Sequence, residues 1–187
     1  MTREQALELL HSKMQNQNLR RHCYAVGAVM KMLAKHFNEN EEEWEITGLL
    51  HDMDYEITKD NPKEHTKLAI EWLNETDVSQ EVKDAILAHG WGYVEGNPEP
   101  SNNMEWSIYC CDELTGLIVA CALVKPSKKL SDVTVDSVKN KWNQKAFAAG
   151  VDRKQIEKCE EKLNIPLDEF IKIALTSMQE IHEELGL

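Results

Sequence analysis

Apolar residues recur at intervals of three and four along most of the chain, and no segment alternates apolar and polar residues as a half-buried strand does. The clearest example begins at Leu19, where Val26, Met30, Leu33 and Phe37 fall on the same helical face. The pattern therefore predicts an all-α protein. With 187 residues, we expect a single helical-bundle domain spanning residues 1–187.

Three features set the expected boundaries in the middle of the chain. The polar residues 54–61 predict a loop. Pro62 suits the first turn of the next helix, so His65 is expected one turn inside that helix. From about Asn102 an almost wholly apolar helix is expected to run to Val124 and to form the centre of the bundle.

Histidine and aspartate residues fall on or beside several of the apolar stripes, where packing gives no reason for them. A buried carboxylate without a partner costs several kcal/mol, so such groups are usually paired or bound to a metal. In chain order the set consists of His22, His51, Asp52, His65, His89 and Asp112. Taken singly, His22, His65 and His89 are each better explained as hydrogen-bonded core histidines. The ordered set on separate helices, however, predicts a metal centre between helices.

The ligand types of this set limit the metal. Imidazole and carboxylate donors without thiolates suit Fe, Mn, Co, Ni or Zn in a catalytic site better than a structural zinc. We expect one or two divalent ions, and Mg is also among the candidate metals. The adjacent residues His51 and Asp52 can supply a terminal ligand and a bridging carboxylate to two ions about 3.5–4 Å apart. The five cysteines are odd in number and form no Cys-x-x-Cys pair, so they are expected to be reduced core thiols.

The charge balance limits the partners. A net charge of −12 repels polyanions and argues against a nucleic-acid polymer as partner. A small phosphorylated or nucleotide-like substrate stays compatible, because divalent metals supply strong local positive charge. No window approaches the ~18 uncharged apolar residues of a membrane span, and residues 1–5 lack an apolar signal core. We therefore expect a cytoplasmic protein with no membrane partner.

One segment departs from the acidic average. Residues 125–145 contain six lysines, and Lys125, Lys128 and Lys129 come first among them. They predict either a wall that faces a substrate phosphate or a solvated helix face. Arg21 is a further substrate candidate because it precedes His22, with a solvated side chain as the alternative.

The sequence resembles the HD-domain superfamily of metal-dependent phosphohydrolases. The resemblance is carried by His22 in Arg21-His22-Cys23, by His51-Asp52 in Leu50-His51-Asp52-Met53-Asp54, and by Asp112 in Tyr109-Cys110-Cys111-Asp112-Glu113. It extends to His65 and His89, the pair found in the dinuclear members. It covers about residues 15–125, the expected metal-site core. The C-terminal helices at about 130–187 are expected to pack on that core and are similar to those of small bacterial HD hydrolases.

The resemblance implies roles for these residues. His22, His51, Asp52 and Asp112 would hold a first metal, and His65 with His89 a second. Asp52 would bridge the two.

The implied activity is hydrolysis of a phosphate ester or anhydride in a small, nucleotide-like substrate by a metal-bridging hydroxide. His51, Asp52 and Asp54 are the catalytic candidates. Asp54 is expected to orient His51 or to donate a proton to the leaving group, unless it only caps the loop. Two alternatives stay open: an HD-fold di-iron oxygenase, which uses the same ligands, and a metal-bearing regulatory or binding module with little turnover.

Overall fold

The computed structural model covers all 187 residues. It consists of α-helices and two short 3₁₀ turns without any strand, which confirms the predicted all-α class. The helices are α1 (Arg3–Lys13), α2 (Gln17–Phe37), α3 (Glu41–Leu50), α4 (Tyr55–Thr58), α5 (Lys67–Leu73), α6 (Gln80–His89), α7 (Asn103–Leu123), α8 (Val135–Trp142), α9 (Arg153–Lys162), α10 (Leu167–Glu180) and α11 (His182–Leu185). The 3₁₀ turns are Pro62–Glu64 and Leu130–Asp132.

Helix α7 is the central helix, as the sequence predicts, and it packs against α2, α6 and α9. It is long and apolar enough to cross a membrane by composition alone, but 67% of its most apolar stretch is buried inside the protein. It is therefore a core helix. Residues of α9 and α10, such as Ile156 and Phe170, are fully buried in the same hydrophobic cluster as Leu114 and Ile118 of α7. The five cysteines are all buried and free, as expected.

Helices α2 and α3 cross at a pair of glycines. A Cβ atom at Gly48 would lie 2.6 Å from the Cα and N atoms of Gly27 and 2.7 Å from the carbonyl carbon of Val26. These are backbone atoms, so they cannot move aside unless the two helices separate. The close crossing brings His22 on α2 near His51, which directly follows α3.

The connection between α3 and α5 differs from the prediction. Residues 54–61 are not only a loop, because they contain the helical turn α4. The helix expected to begin at Pro62 is instead a 3₁₀ turn, and α5 begins only at Lys67. Thr66 lies between the 3₁₀ turn and α5 and has a φ of 67°, an unusual conformation for a β-branched residue. His65 therefore lies in the linker before α5 and not one turn inside a helix.

Helix α8 ends at Trp142, and the segment that follows it is not helical. The guanidinium of Arg153 stabilises the non-helical segment that follows. It donates hydrogen bonds to the carbonyl oxygens of Trp142, Phe147, Ala148 and Val151 at 2.5–3.2 Å. These carbonyls are satisfied by a side chain, so the segment does not need to be helical.

The glycine crossing leads to a stability prediction. Replacing Gly48 with Ala should lower the free energy of unfolding by about 1–3 kcal/mol, because the added methyl group overlaps the backbone of α2. Chemical denaturation measures this change. The matched control is Gly150→Ala, whose Cβ would meet nothing within 4 Å and which should stay within about 0.5 kcal/mol of the original. Equal effects of the two substitutions would contradict the close crossing.

Candidate metal centre

The carboxylate of Asp52 lies among four imidazoles. Its Oδ2 atom is 3.8 Å from Nε2 of His22 and 3.7 Å from Nε2 of His51. Its Oδ1 atom is 3.3 Å from Nε2 of His65 and 3.4 Å from Nε2 of His89. Each oxygen therefore faces a different pair of histidines. This is the arrangement that a carboxylate needs to bridge two ions.

Asp112, on α7, completes the half of the centre that contains His22 and His51. Its Oδ1 atom is 2.8 Å from Nε2 of His22 and 3.6 Å from Nε2 of His51. The ligand atoms of these three residues all lie within 4.8 Å of one another. In the other half, the Nε2 atoms of His65 and His89 are 3.2 Å apart. The structure thus brings all six residues of the predicted set together.

Backbone carbonyls fix the rings of two histidines at helix ends. Nδ1 of His51 lies 2.8 Å from the carbonyl oxygen of Gly48, and Nδ1 of His89 lies 2.5 Å from that of Ile86. In both cases the carbonyl belongs to the residue three positions earlier. An Nδ1–H that donates to a carbonyl leaves Nε2 as the lone-pair atom, so both rings present Nε2 to the centre.

Asp54 plays a different part from the one expected. It is fully buried, and its Oδ1 atom accepts a hydrogen bond from Nδ1 of His65 at 2.8 Å. Its Oδ2 atom accepts one from the amide of Ala69 at 3.0 Å. The expectation that Asp54 orients His51 is therefore wrong, because it orients His65. With both oxygens engaged and the side chain buried, Asp54 is also badly placed to donate a proton to a leaving group.

Thr115 contacts His22, the fourth histidine of the centre. The sequence pattern does not identify Thr115 as a site residue. Its hydroxyl donates to the carbonyl oxygen of Asp112 at 2.8 Å, and Oγ1 lies 3.3 Å from Nδ1 of His22. Oγ1 can therefore accept a hydrogen bond from Nδ1–H of His22, which leaves Nε2 of His22 directed at the centre. The only sequence signal is that Thr115 follows Asp112 by three positions, which places both on the same face of α7.

The environment of His51 tests whether these residues fit a metal. Its side chain is completely buried, and Nε2 has no hydrogen-bond partner in the protein. Only Ser107 Oγ shares that condition among the buried polar side-chain atoms. An unpartnered buried polar group is costly, and buried polar groups normally have partners. A cation among His51, Asp52 and Asp112 would supply the missing partner, so the residues fit a metal centre.

The ionisable groups of the centre shift one another's pKa. Burial lowers the pKa of His22, but the hydrogen bond and charge of Asp112, with the charge of Asp52, outweigh burial and raise it to about 9. Burial raises the pKa of Asp112, but the hydrogen bond with His22 and the charges of His22 and His51 lower it well below its ordinary value. For Asp52, burial is likewise outweighed by the charge of His51 and by the nearby imidazole of His89, and its pKa is lowered. Both carboxylates therefore stay ionised, which is the state that binds a metal.

A cavity of ≈ 440 Å³ lies over the centre. This volume is within the range of small-molecule sites. Its walls and floor are formed by Leu19, His22, Asp52, Tyr55, Thr58, Lys59, Pro62, His65, His89, Gly90, Tyr93, Val94, Asp112, Glu113, Gly116 and Val151. Burial and the charge of Asp112 raise the pKa of Glu113 to about 7. Lys59 is the one lysine or arginine on the wall.

The four basic residues predicted to contact substrate do not line this cavity. Lys125, Lys128 and Lys129 follow the end of α7, more than ten residues beyond Asp112, which is on the order of 15 Å along a helix. These three lysines therefore do not form a wall of this cavity. Arg21 lies on the far side of His22, where Gly186 is its neighbour. Lys59 was missed because nothing in its polar surroundings distinguishes it from a solvated lysine.

Comparison with protein families gives one match. The family model of the HD domain matches residues 19–114, just over half of the chain. This stretch contains all six residues of the centre. The comparison with curated proteins gives no significant match.

The division of ligands predicts different metal losses in two variants. Asp52→Ala should bind neither ion, because its two oxygens face both halves of the centre. His65→Ala should keep the ion held by His22, His51 and Asp112 and lose the other, so metal content should fall from two to one per chain. Equilibrium dialysis against Mn²⁺ followed by elemental analysis measures this. Asp60→Ala, an exposed carboxylate nearby, is the control and should keep both ions. Loss of both ions in His65→Ala would contradict the division.

Proposed function

Because the chain belongs to the HD-domain family, which includes metal-dependent phosphohydrolases, we propose that it hydrolyses a phosphate ester or anhydride of a small molecule. The observation that carries the proposal is the position of Asp52. Its two oxygens face two pairs of imidazoles at the floor of a ≈ 440 Å³ cavity. A structural metal site needs no such cavity, whereas a hydrolase needs room for a substrate beside its metals.

The metals would be held in two groups. His22, His51, Asp112 and Oδ2 of Asp52 would hold one ion, while His65, His89 and Oδ1 of Asp52 would hold the other. Divalent ions bound there would supply a water of lowered pKa and neutralise charge on the phosphoryl oxygens. In the reaction the P–O bond to the leaving group breaks, and water provides the hydroxyl for phosphorus and the proton for the leaving oxygen.

The protein's own residues would mainly position these groups. Asp54 and Thr115 hold His65 and His22 with Nε2 towards the centre. Such supporting partners commonly change metal affinity or activity 10–100-fold when they are removed. His51 contributes from behind the cavity wall, since it is buried and absent from the lining. We therefore assign His51 and Asp52 to metal binding and Asp54 to positioning.

Charge favours a substrate with few phosphoryl groups. The cavity wall has one ammonium, that of Lys59, against Asp52, Asp112 and Glu113. Below about pH 7, Glu113 holds a proton and one fewer negative charge faces an anionic substrate. The overall charge of −12 would repel a nucleic-acid polymer. A phosphate monoester or a short anhydride suits this balance best.

The activity is tested by a screen of phosphate esters and nucleotides with metal-loaded protein. Hydrolysis should require a divalent transition metal and stop when a chelator is added, because the only lysine or arginine on the wall, Lys59, cannot supply an activated water. Asp52→Ala purified in the same way should be inactive, which excludes a contaminating phosphatase. Failure of every phosphorylated substrate, together with oxygen uptake by an iron-loaded sample, would contradict the proposal and favour an oxygenase.

Lys59 leads to a second prediction about the reaction. Lys59→Ala should raise KM about fivefold with a smaller change in kcat, because an exposed ammonium would bind the phosphate similarly before and during the reaction. Steady-state kinetics with the best ester measures both constants. Lys128→Ala is the matched control and should not change either one, since Lys128 lies outside the cavity. A KM that changes in Lys128→Ala and not in Lys59→Ala would contradict this prediction. It would place the substrate site at the basic segment of residues 125–145 instead.

A further inference from the structure

A second cavity of ≈ 490 Å³ adjoins the one over the metal centre. It lies between α2 and α7 and is closed by the residues that follow α10. His22 and Gly116 line both cavities, so the two spaces are adjacent at these residues. The metal centre therefore has a neighbouring space into which a bound molecule could extend.

Gly116 stands where the two cavities meet, and packing does not explain it. Glycine inside a helix is destabilising relative to alanine, so it usually has a local reason. A Cβ atom at this position would meet only Cγ2 of Val151, at 3.8 Å, which is an ordinary contact. Gly27 and Gly48 differ, because their neighbours leave no room for a side chain. The missing side chain at Gly116 leaves free space where the linings of the two cavities coincide.

The second cavity has an apolar wall that runs along α7. Val119 and Leu123 continue the face that carries Gly116, and Leu185 lies opposite. Leu123 is 51% exposed, which is unusual for a large apolar residue of a core helix. From Asp112 to Leu123 the helix rises about 16 Å. A molecule held at the metal centre could therefore lay an extended apolar part along this wall.

Arg21, on α2, adds a charge to the lining of the second cavity. Its side chain is exposed and makes neither an ion pair nor a hydrogen bond. That is notable in a chain with 33 acidic and 21 basic residues. The guanidinium lies beside Gly186, where an added Cβ atom would be 2.8 Å from its Nη2. A free guanidinium next to an apolar wall suits a ligand that is apolar and carries an anionic group.

We propose that the substrate of this phosphohydrolase is elongated. Its phosphoryl group binds at the metal centre, and its leaving group passes over Gly116 into the second cavity. That leaving group is apolar and carries one anionic group that meets Arg21. The inference rests on the proposed function for the position of the phosphoryl group. The shared lining of the two cavities, the unexplained glycine and the unpaired arginine are independent of it.

The test measures binding separately from turnover. Calorimetry with Mn²⁺-loaded protein uses ω-carboxyalkyl phosphonates, which cannot be hydrolysed, with two to ten methylene groups. The dissociation constant should fall about two- to fourfold per methylene until the second cavity is filled. Gly116→Phe should abolish this dependence on length, because its ring would fill the free space at Gly116. Gly150→Phe, which adds the same ring at an exposed position with open space around it, should preserve the dependence.

Two further variants complete the test. Gly116→Ala adds only a methyl group with an ordinary contact, so it should fold and keep a length dependence even if Gly116→Phe does not fold. Arg21→Gln should weaken carboxyl-ended ligands about two- to fivefold and leave methyl-ended ligands of equal length unaffected.

Two results would overturn the inference. One is a dissociation constant independent of chain length in the unaltered protein. The other is a concentration-dependent dimer, seen by light scattering, that Gly116→Phe abolishes, since a second copy would then occupy the cavity. Length-dependent binding without hydrolysis of the corresponding phosphates would instead refute the proposed function and leave the elongated ligand supported.

Discussion

The buried carboxylate of Asp52 is the constraint on which the rest of the structure depends. It lies 3.3–3.8 Å from the Nε2 atoms of four histidines, and one of these atoms has no other partner. Placing so many polar groups together inside a helical protein costs stability unless each finds a partner. Backbone carbonyls, Asp54 and Thr115 satisfy the outer side of the imidazoles, and the inner side is left for cations.

The helices that surround this cluster hold it at fixed distances. The backbone contact between Gly27 and Gly48 sets the separation of α2 and α3. Helix α2 carries His22, and His51 directly follows α3. Helix α7 supplies Asp112 from the centre of the hydrophobic cluster. Because these supports are packed backbone and core residues, the ligands can keep their geometry in the absence of metal. Part of the cavity wall, by contrast, comes from short and more exposed segments such as α4.

Much of the fold and of the ligand set could be predicted from the sequence. Helical periodicity is a local signal, and six histidines and aspartates on apolar stripes are conspicuous because their burial needs a reason. What failed depended on three-dimensional proximity. The pairing of Asp54 with His65 lies next to Thr66 at positive φ, and sequence patterns indicate neither feature. The lysines after α7 are dense in sequence but lie beyond the cavity, while Lys59 is isolated in sequence and lies on its wall.

The most direct test of the account is a crystal structure of the Mn²⁺-loaded protein with anomalous scattering recorded at the manganese edge. The account predicts two anomalous peaks about 3.5–4 Å apart. One peak should lie next to Oδ2 of Asp52 with His22, His51 and Asp112, and the other next to Oδ1 with His65 and His89. A single peak shared by all four histidines, or none near Asp52, would contradict the bridging role of this carboxylate.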